Sequence, residues 1–117
     1  MPIDAGYLGY VLDQLSGLSE VVPKRTEGGV GLCFGGACFA LIDDALYLHV
    51  DELSRPEFVA RDMQPLAANP SFYRVPDDVL RDVQQLTLWA RRAVRAALAE
   101  SRKRRPRRWT PFARNVR

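Results

Sequence analysis

The sequence predicts an α+β domain, a two-layer α/β arrangement in the order α-β-β-β-α-β-β-α, with helices packed on an antiparallel or mixed sheet. Three observations carry that expectation. Apolar residues recur at three- and four-residue spacings near both ends of the chain, as on the buried face of a helix. Between residues 30 and 50 they instead run together or alternate, as in strands. Glycine, proline and paired aspartates stand at the places where one pattern gives way to the other.

Residues 4–18 set Leu8, Val11, Leu12, Leu15 and Leu18 on one helical stripe, with Gly17 and Pro23 marking its end. Val30 to Phe34 and Ala37 to Ile42 then flank Gly35-Gly36, a two-residue turn whose positive φ angles suit glycine. This hairpin would set Phe34 opposite Ala37 and Cys33 opposite Cys38. Leu32, Phe34 and Phe39 would share one face, and Cys33, Cys38 and Ala40 the other. After a turn at Asp43-Asp44, Leu46, Leu48 and Val50 alternate with Tyr47 and His49, completing a three-stranded meander.

Ser54-Arg55-Pro56-Glu57 has capping-box spacing and predicts a short helix ending near Asp62, with Leu53 and Phe58 placed for a hydrophobic staple. Two short strands, 65–67 and 71–75, are expected around a turn at Asn69-Pro70. Pro76-Asp77-Asp78 begins a helical turn. Asp82 and Gln85 then cap a final helix whose apolar face runs Leu86, Trp89, Ala90, Ala93, Val94, Ala97 and Leu98, with Arg91, Arg92 and Arg95 away from it.

Composition narrows the function classes. At 117 residues, 47% hydrophobic and 26% charged, the chain suits one globular domain. No apolar window reaches the roughly 18 residues of a membrane helix, and no partner membrane is expected. Met1-Pro2-Ile3-Asp4 lacks the basic start of a secretory signal, so a cytoplasmic, bacterial protein is expected. The charge is unevenly placed. Residues 1–100 hold nine basic and fourteen acidic side chains, whereas residues 101–117 hold eight basic and no acidic ones. The expected division is a domain over 1–100 and a flexible basic tail over 101–117.

An ordered set of residues resembles the TfoX/Sxy N-terminal domain. It comprises Lys24-Arg25, Gly28-Gly29-Val30-Gly31-Leu32, Gly36, Phe39-Ala40-Leu41, Leu46-Tyr47-Leu48 and Val50-Asp51. Arg55-Pro56, Phe58, Met63, Pro65, Tyr73, Val75-Pro76 and Trp89-Ala90-Arg91-Arg92-Ala93 follow in register. The resemblance spans roughly residues 5–99. It implies a fold like that of secretion chaperones and a role in gene regulation. It further implies a link to natural competence, which full-length relatives promote with the cyclic-AMP receptor protein. Where relatives carry Met-Phe before the paired glycines, this chain has Thr26-Glu27. By that resemblance a basic tail is expected where full-length regulators carry their second domain.

Few residues suggest chemistry. Gly28-Gly29-x-Gly31 leads into a strand, whereas a phosphate loop needs a helix after its glycines, so a bulge or tight turn is expected. Cys33 and Cys38 have no companion ligands for a metal. They read as two small half-buried thiols or as a redox-responsive pair. His49, the only histidine, has no nucleophile or carboxylate in a catalytic pattern and reads as a surface residue. The acidic residues fit turns and helix starts. No cofactor, metal or catalytic residue is expected.

The basic segment is the richest signal. Arg102, Lys103, Arg104, Arg105, Arg107, Arg108 and Trp109 place six cations and an indole within eight positions. Such a run suits nucleic-acid phosphates by counterion release, with Trp109 and Phe112 available to stack on bases. A solubilising end and pairing with the acidic body or an acidic protein are together the more common use of such a tail. The leading expectation is a non-enzymatic regulatory module that binds a protein partner or itself. A nucleic-acid-binding accessory protein is the alternative, and an enzyme with an unrecognised site the third. Apolar residues on both hairpin faces suit a homodimer.

Overall fold

A computed structural model describes residues 5–18, 20–26 and 29–109, with side chains placed for 6–18, 20–26 and 29–102. Among the described residues four helices and six strands follow one another: α1 (Ala5–Gln14), β1 (Val22–Thr26), β2 (Gly29–Phe34), β3 (Ala37–Ile42), β4 (Leu46–His49), α2 (Arg55–Ala60), β5 (Pro65–Leu66), β6 (Asn69–Arg74), α3 (Asp77–Leu80) and α4 (Val83–Trp109). The strands form one antiparallel sheet in the order β1-β2-β3-β4-β6-β5. The α+β class and the expected element order hold. The short helical turn at Asp77 forms as α3, and the sheet gains one further strand, β1, at its edge. All five β1 residues are exposed, which is why no apolar alternation announced it.

Register assigns the faces. Val30 pairs with Ile42, Leu32 with Ala40, Ala40 with Leu48, and Leu48 with Tyr73, so these side chains share the inner face. Gly31, Leu41, Tyr47, Arg74, His49 and Phe72 take the outer face by the same pairings. Every helix packs inward. Val11 and Leu15 of α1, Phe58 of α2, Val79 of α3 and the Leu86–Ala97 stripe of α4 join the inner strand residues in one core. On the outer face the buried side chains form a small cluster of Ala45, Tyr47 and Phe72, with Leu41 and Leu66 beside them.

Local chemistry departs from expectation at three points. Ser54 makes no side-chain cap to α2, and Leu53 is 90% exposed, so neither the capping box nor the staple forms. Asp51 organises this turn instead. Its carboxylate accepts hydrogen bonds from the Leu53 and Ser54 backbone N–H groups (3.0 and 2.9 Å) and from the Ser54 hydroxyl (3.1 Å). Burial alone would push this carboxyl up, but the bonds from Ser54 and Leu53 outweigh it and hold it below its ordinary range. The turn expected at Asn69-Pro70 lies at Ala67-Ala68, and Pro70 falls inside β6 where the pairing with β5 shifts, so no ladder bond is lost to the missing N–H. Asp82 does cap α4, accepting from the Gln84 and Gln85 N–H groups at 3.0 and 3.2 Å.

The third departure lies in the central hairpin. A bulge between β2 and β3 leaves Phe39 without a partner, between Ala40 opposite Leu32 and Cys38 opposite Cys33. Phe39 is fully buried in the inner core. Ala40 therefore sits with Leu32 on the inner face rather than with the cysteines. Gly35 and Gly36, at φ 61° and 85°, make the two-residue turn. Gly29 begins β2 at φ 152°, and a Cβ there would lie 2.0 Å from the Ile42 carbonyl oxygen, so close backbone approach explains this glycine.

Candidate functional site

The residues singled out above fall into three groups. The first is architectural. Asp51 organises the entry to α2, and the Arg55 N–H donates to the Asp51 carbonyl at 2.9 Å. Trp89 is buried against Phe58, edge to face at 4.9 Å, and two guanidiniums lie over its ring, Arg92 at 5.2 Å and Arg61 at 5.5 Å. Each of those arginines has its own carboxylate, Glu57 at 2.6 Å from Arg92 and Asp78 at 3.0 Å from Arg61. The Arg61 bond holds the Asp78 carboxyl below its ordinary range. Gly29, Gly31 and Gly36 serve the hairpin. Gly28 lies outside the described residues. Lys24 and Arg25 project from the edge strand β1 and are exposed.

The second group is the open end of the sheet. β3 begins, β4 ends and β6 begins there, and the later turns of α4 pass beside it. A cavity of about 720 Å³ opens between them, lined by Cys38, Leu41, His49, Asn69, Ser71 and Phe72 from the sheet and by Ala97, Glu100 and Ser101 from α4. The His49 ring, half-buried rather than on the surface, meets Phe72 edge-on at 5.0 Å. Cys33 and Cys38 are joined as a disulfide on the outer face, with Cα atoms 3.9 Å apart. Farther along that face, the Tyr47 hydroxyl donates to Asp44 at 2.8 Å. Burial, reinforced by that carboxylate, pushes its phenol up to about 12.

The third group is the solvent side of α4. The helix does not stop near residue 100 but continues to Trp109, so the basic segment begins as a direct extension of the domain's longest helix. Leu88, Arg91, Arg95, Ala99 and Arg102 are exposed along it at three- and four-residue spacings. At about 100° per residue, Arg91, Arg95 and Arg102 fall within roughly 40° of one another. Glu100 points the opposite way, into the cavity. The side chains of Lys103, Arg104, Arg105, Arg107, Arg108 and Trp109 lie outside the described residues, as does Phe112. Sequence reasoning placed the positive charge after residue 100. The structure shows that the array starts at Arg91, a signal that helical spacing could have supplied.

Among the described residues, no group of three or more His, Cys, Asp or Glu side chains could hold a metal ion. Among them also, no helix is long and apolar enough to cross a membrane. Residues 13–97 match the family model for the TfoX N-terminal domain. No curated protein matches the chain.

Proposed function

The chain belongs to the TfoX N-terminal domain family, and from that premise we propose that it is a non-enzymatic, transcription-related regulatory module of the bacterial cytoplasm that works by binding a protein partner. The observation that carries this reading is the asymmetry of the sheet. All four helices pack on the inner face, and no helix contributes to the outer cluster of Ala45, Tyr47 and Phe72. A sheet face that no helix covers suits a flat protein contact, its half-buried Leu41, Leu66 and His49 offering surface around the buried Ala45, Tyr47 and Phe72, whether to another protein or to a second copy of the chain.

The test is sedimentation velocity on the chain alone and mixed with the cyclic-AMP receptor protein toward which the resemblance points. A complex or dimer that survives about 0.3 M salt, where exposed charges are well screened, is the expected result. It should also survive deletion of residues 101–117. It should weaken in Val22→Glu, a change at an exposed β1 position that pairs with Cys33. Free monomers in every sample would overturn the reading.

A second reading is favoured by the arginine stripe of α4. In it the chain is a nucleic-acid accessory protein, and Arg91, Arg95 and Arg102 lead phosphates onto the basic segment. Arg91 and Arg102 are separated by about 16 Å of helix, at 1.5 Å per residue. Binding to duplex DNA would then weaken steeply with salt. It would vanish on deletion of residues 101–117 and fall in Arg91→Glu with Arg95→Glu. A deleted chain that binds DNA as well as the full one would remove the reading.

A further inference from the structure

The molecule's two cysteines face each other across the Gly35-Gly36 turn, just past a change of strand register between Leu32 and Cys33. Up to Leu32, the β2–β3 pairing sets Val30 opposite Ile42, Gly31 opposite Leu41 and Leu32 opposite Ala40. Carried on unchanged, it would set Cys33 opposite Phe39 and Phe34 opposite Cys38. The two sulfurs would then lie on opposite faces of the sheet. The bulge at Phe39 takes up one residue, and Cys33 pairs with Cys38 instead. The Gly35-Gly36 turn closes the hairpin at this shifted register. Bulge and turn together therefore bring the sulfurs to one row on the uncovered face.

Their access is unequal. Both are half-buried, but of the two only Cys38 lines the cavity at the sheet end. That cavity, about 720 Å³, is in the size range of small-molecule sites. Asn69 and Ser71 offer polar groups on its sheet side, and Phe72 and Leu41 an apolar wall.

We propose that Cys33 and Cys38 form a reversible dithiol–disulfide site that exchanges with a low-molecular-weight thiol entering through this cavity, with Cys38 as the sulfur attacked. The small thiolate attacks Cys38 Sγ, the Cys33–Cys38 bond breaks, and Cys33 leaves as a thiolate. A second small thiolate attacks the sulfur of the small molecule held on Cys38 and releases it as its symmetrical disulfide, leaving Cys38 as a thiolate. Two small thiols are oxidised to one small disulfide and the protein disulfide is reduced by two electrons, and the two protons the small thiols give up on ionising are those the cysteines take up when both end as thiols. Oxidation runs the same steps backward, with the small disulfide as oxidant. This site stands apart from the partner reading, since neither cysteine needs a bound protein to react.

The experiment equilibrates the full chain in mixtures of reduced and oxidised glutathione, quenches in acid, alkylates free thiols and weighs the intact protein. The chain should pass between no reactive thiols and two as the mixture changes, while remaining one chain in mass. Peptide mapping of acid-trapped intermediates should find glutathione on Cys38. In separate variants, oxidised glutathione should add to Cys38 of Cys33→Ser about tenfold faster than to Cys33 of Cys38→Ser, from access alone. The wild-type mapping decides the matter if either variant fails to fold. Two free thiols at every mixture, none at any mixture, a bond between two chains, or glutathione found first on Cys33 would each overturn the proposal.

Discussion

The inner and outer faces of the sheet are made from the same alternating strands and yet differ in what they bury. Inside, Leu32, Phe39, Ile42, Leu46 and Leu48 are sealed beneath four helices, with Trp89 and Phe58 locking α4 and α2 together. Outside, the buried cluster is only Ala45, Tyr47 and Phe72, with the Tyr47 phenol bound to a carboxylate, and around it lie a disulfide, a histidine and an open cavity. Each fully buried large apolar side chain contributes about 1.5–3 kcal/mol. Stability should therefore reside mostly on one face, leaving the other free to carry contacts and chemistry.

That contrast can be broken most directly by paired truncations. Phe39→Ala should cost about 3–5 kcal/mol, since the ring is wholly enclosed and its loss opens a cavity. Phe72→Ala should cost less, about 2 kcal/mol, because the thin outer cluster can relax around the gap. Urea unfolding of both variants measures the difference, and equal losses would mean that the outer cluster is a core in its own right.

Asp51→Ala sharpens the comparison at the point where β4 leaves the sheet for the helical layer. Losing three accepted hydrogen bonds should cost about 1–2 kcal/mol at neutral pH. The folded carboxyl is held below its ordinary value, so its contribution is present above the ordinary carboxylate range and lost as pH falls through the folded value. Wild type and variant should therefore converge in stability at low pH. A constant gap down to the acid transition would show that the carboxylate's charge is irrelevant there.

The smallest effect belongs to Tyr47. Its phenol is raised from 10.0 to about 12, so the stability it contributes is complete below pH 10 and is lost as pH rises toward 12. The wild type should lose stability over that window more steeply than Tyr47→Phe. Some loss should persist in the variant, because burial also raises the Tyr7 phenol on the helical side. Identical alkaline profiles would place the charge-sensitive tyrosine elsewhere.

The inner face was legible in the sequence because period dictates burial. Leu46, Leu48 and Val50 alternate as their exposures do, and the α4 stripe from Leu86 to Ala97 follows helical spacing. The bulge was not legible, because Phe39 and Ala40 are both apolar and either parity satisfies a hydrophobic pattern. β1 was silent for the opposite reason, since Val22-Pro23-Lys24-Arg25-Thr26 buries nothing. Ser54 and Glu57 have the right spacing for a cap, yet Asp51, three residues before Ser54, takes the Ser54 N–H with a charged acceptor, and the Glu57 N–H donates to the Ser54 carbonyl instead. The cysteine pairing was readable from the Gly35-Gly36 turn, but the cavity beside Cys38 joins β3, β4, β6 and α4 and has no local signature.

The exposed strand β1 has one more consequence. An open sheet ends in two unpaired edges, and each edge is a template on which another chain can continue the ladder. Here one edge strand contains Pro23, Lys24 and Arg25, and the other is only two residues long and begins with Pro65. Proline lacks the N–H that a newcomer would need, and the cations repel a like neighbour. Filament-like growth is thus discouraged at both ends. When two copies of this domain meet, stacking broadside leaves both guarded margins undisturbed.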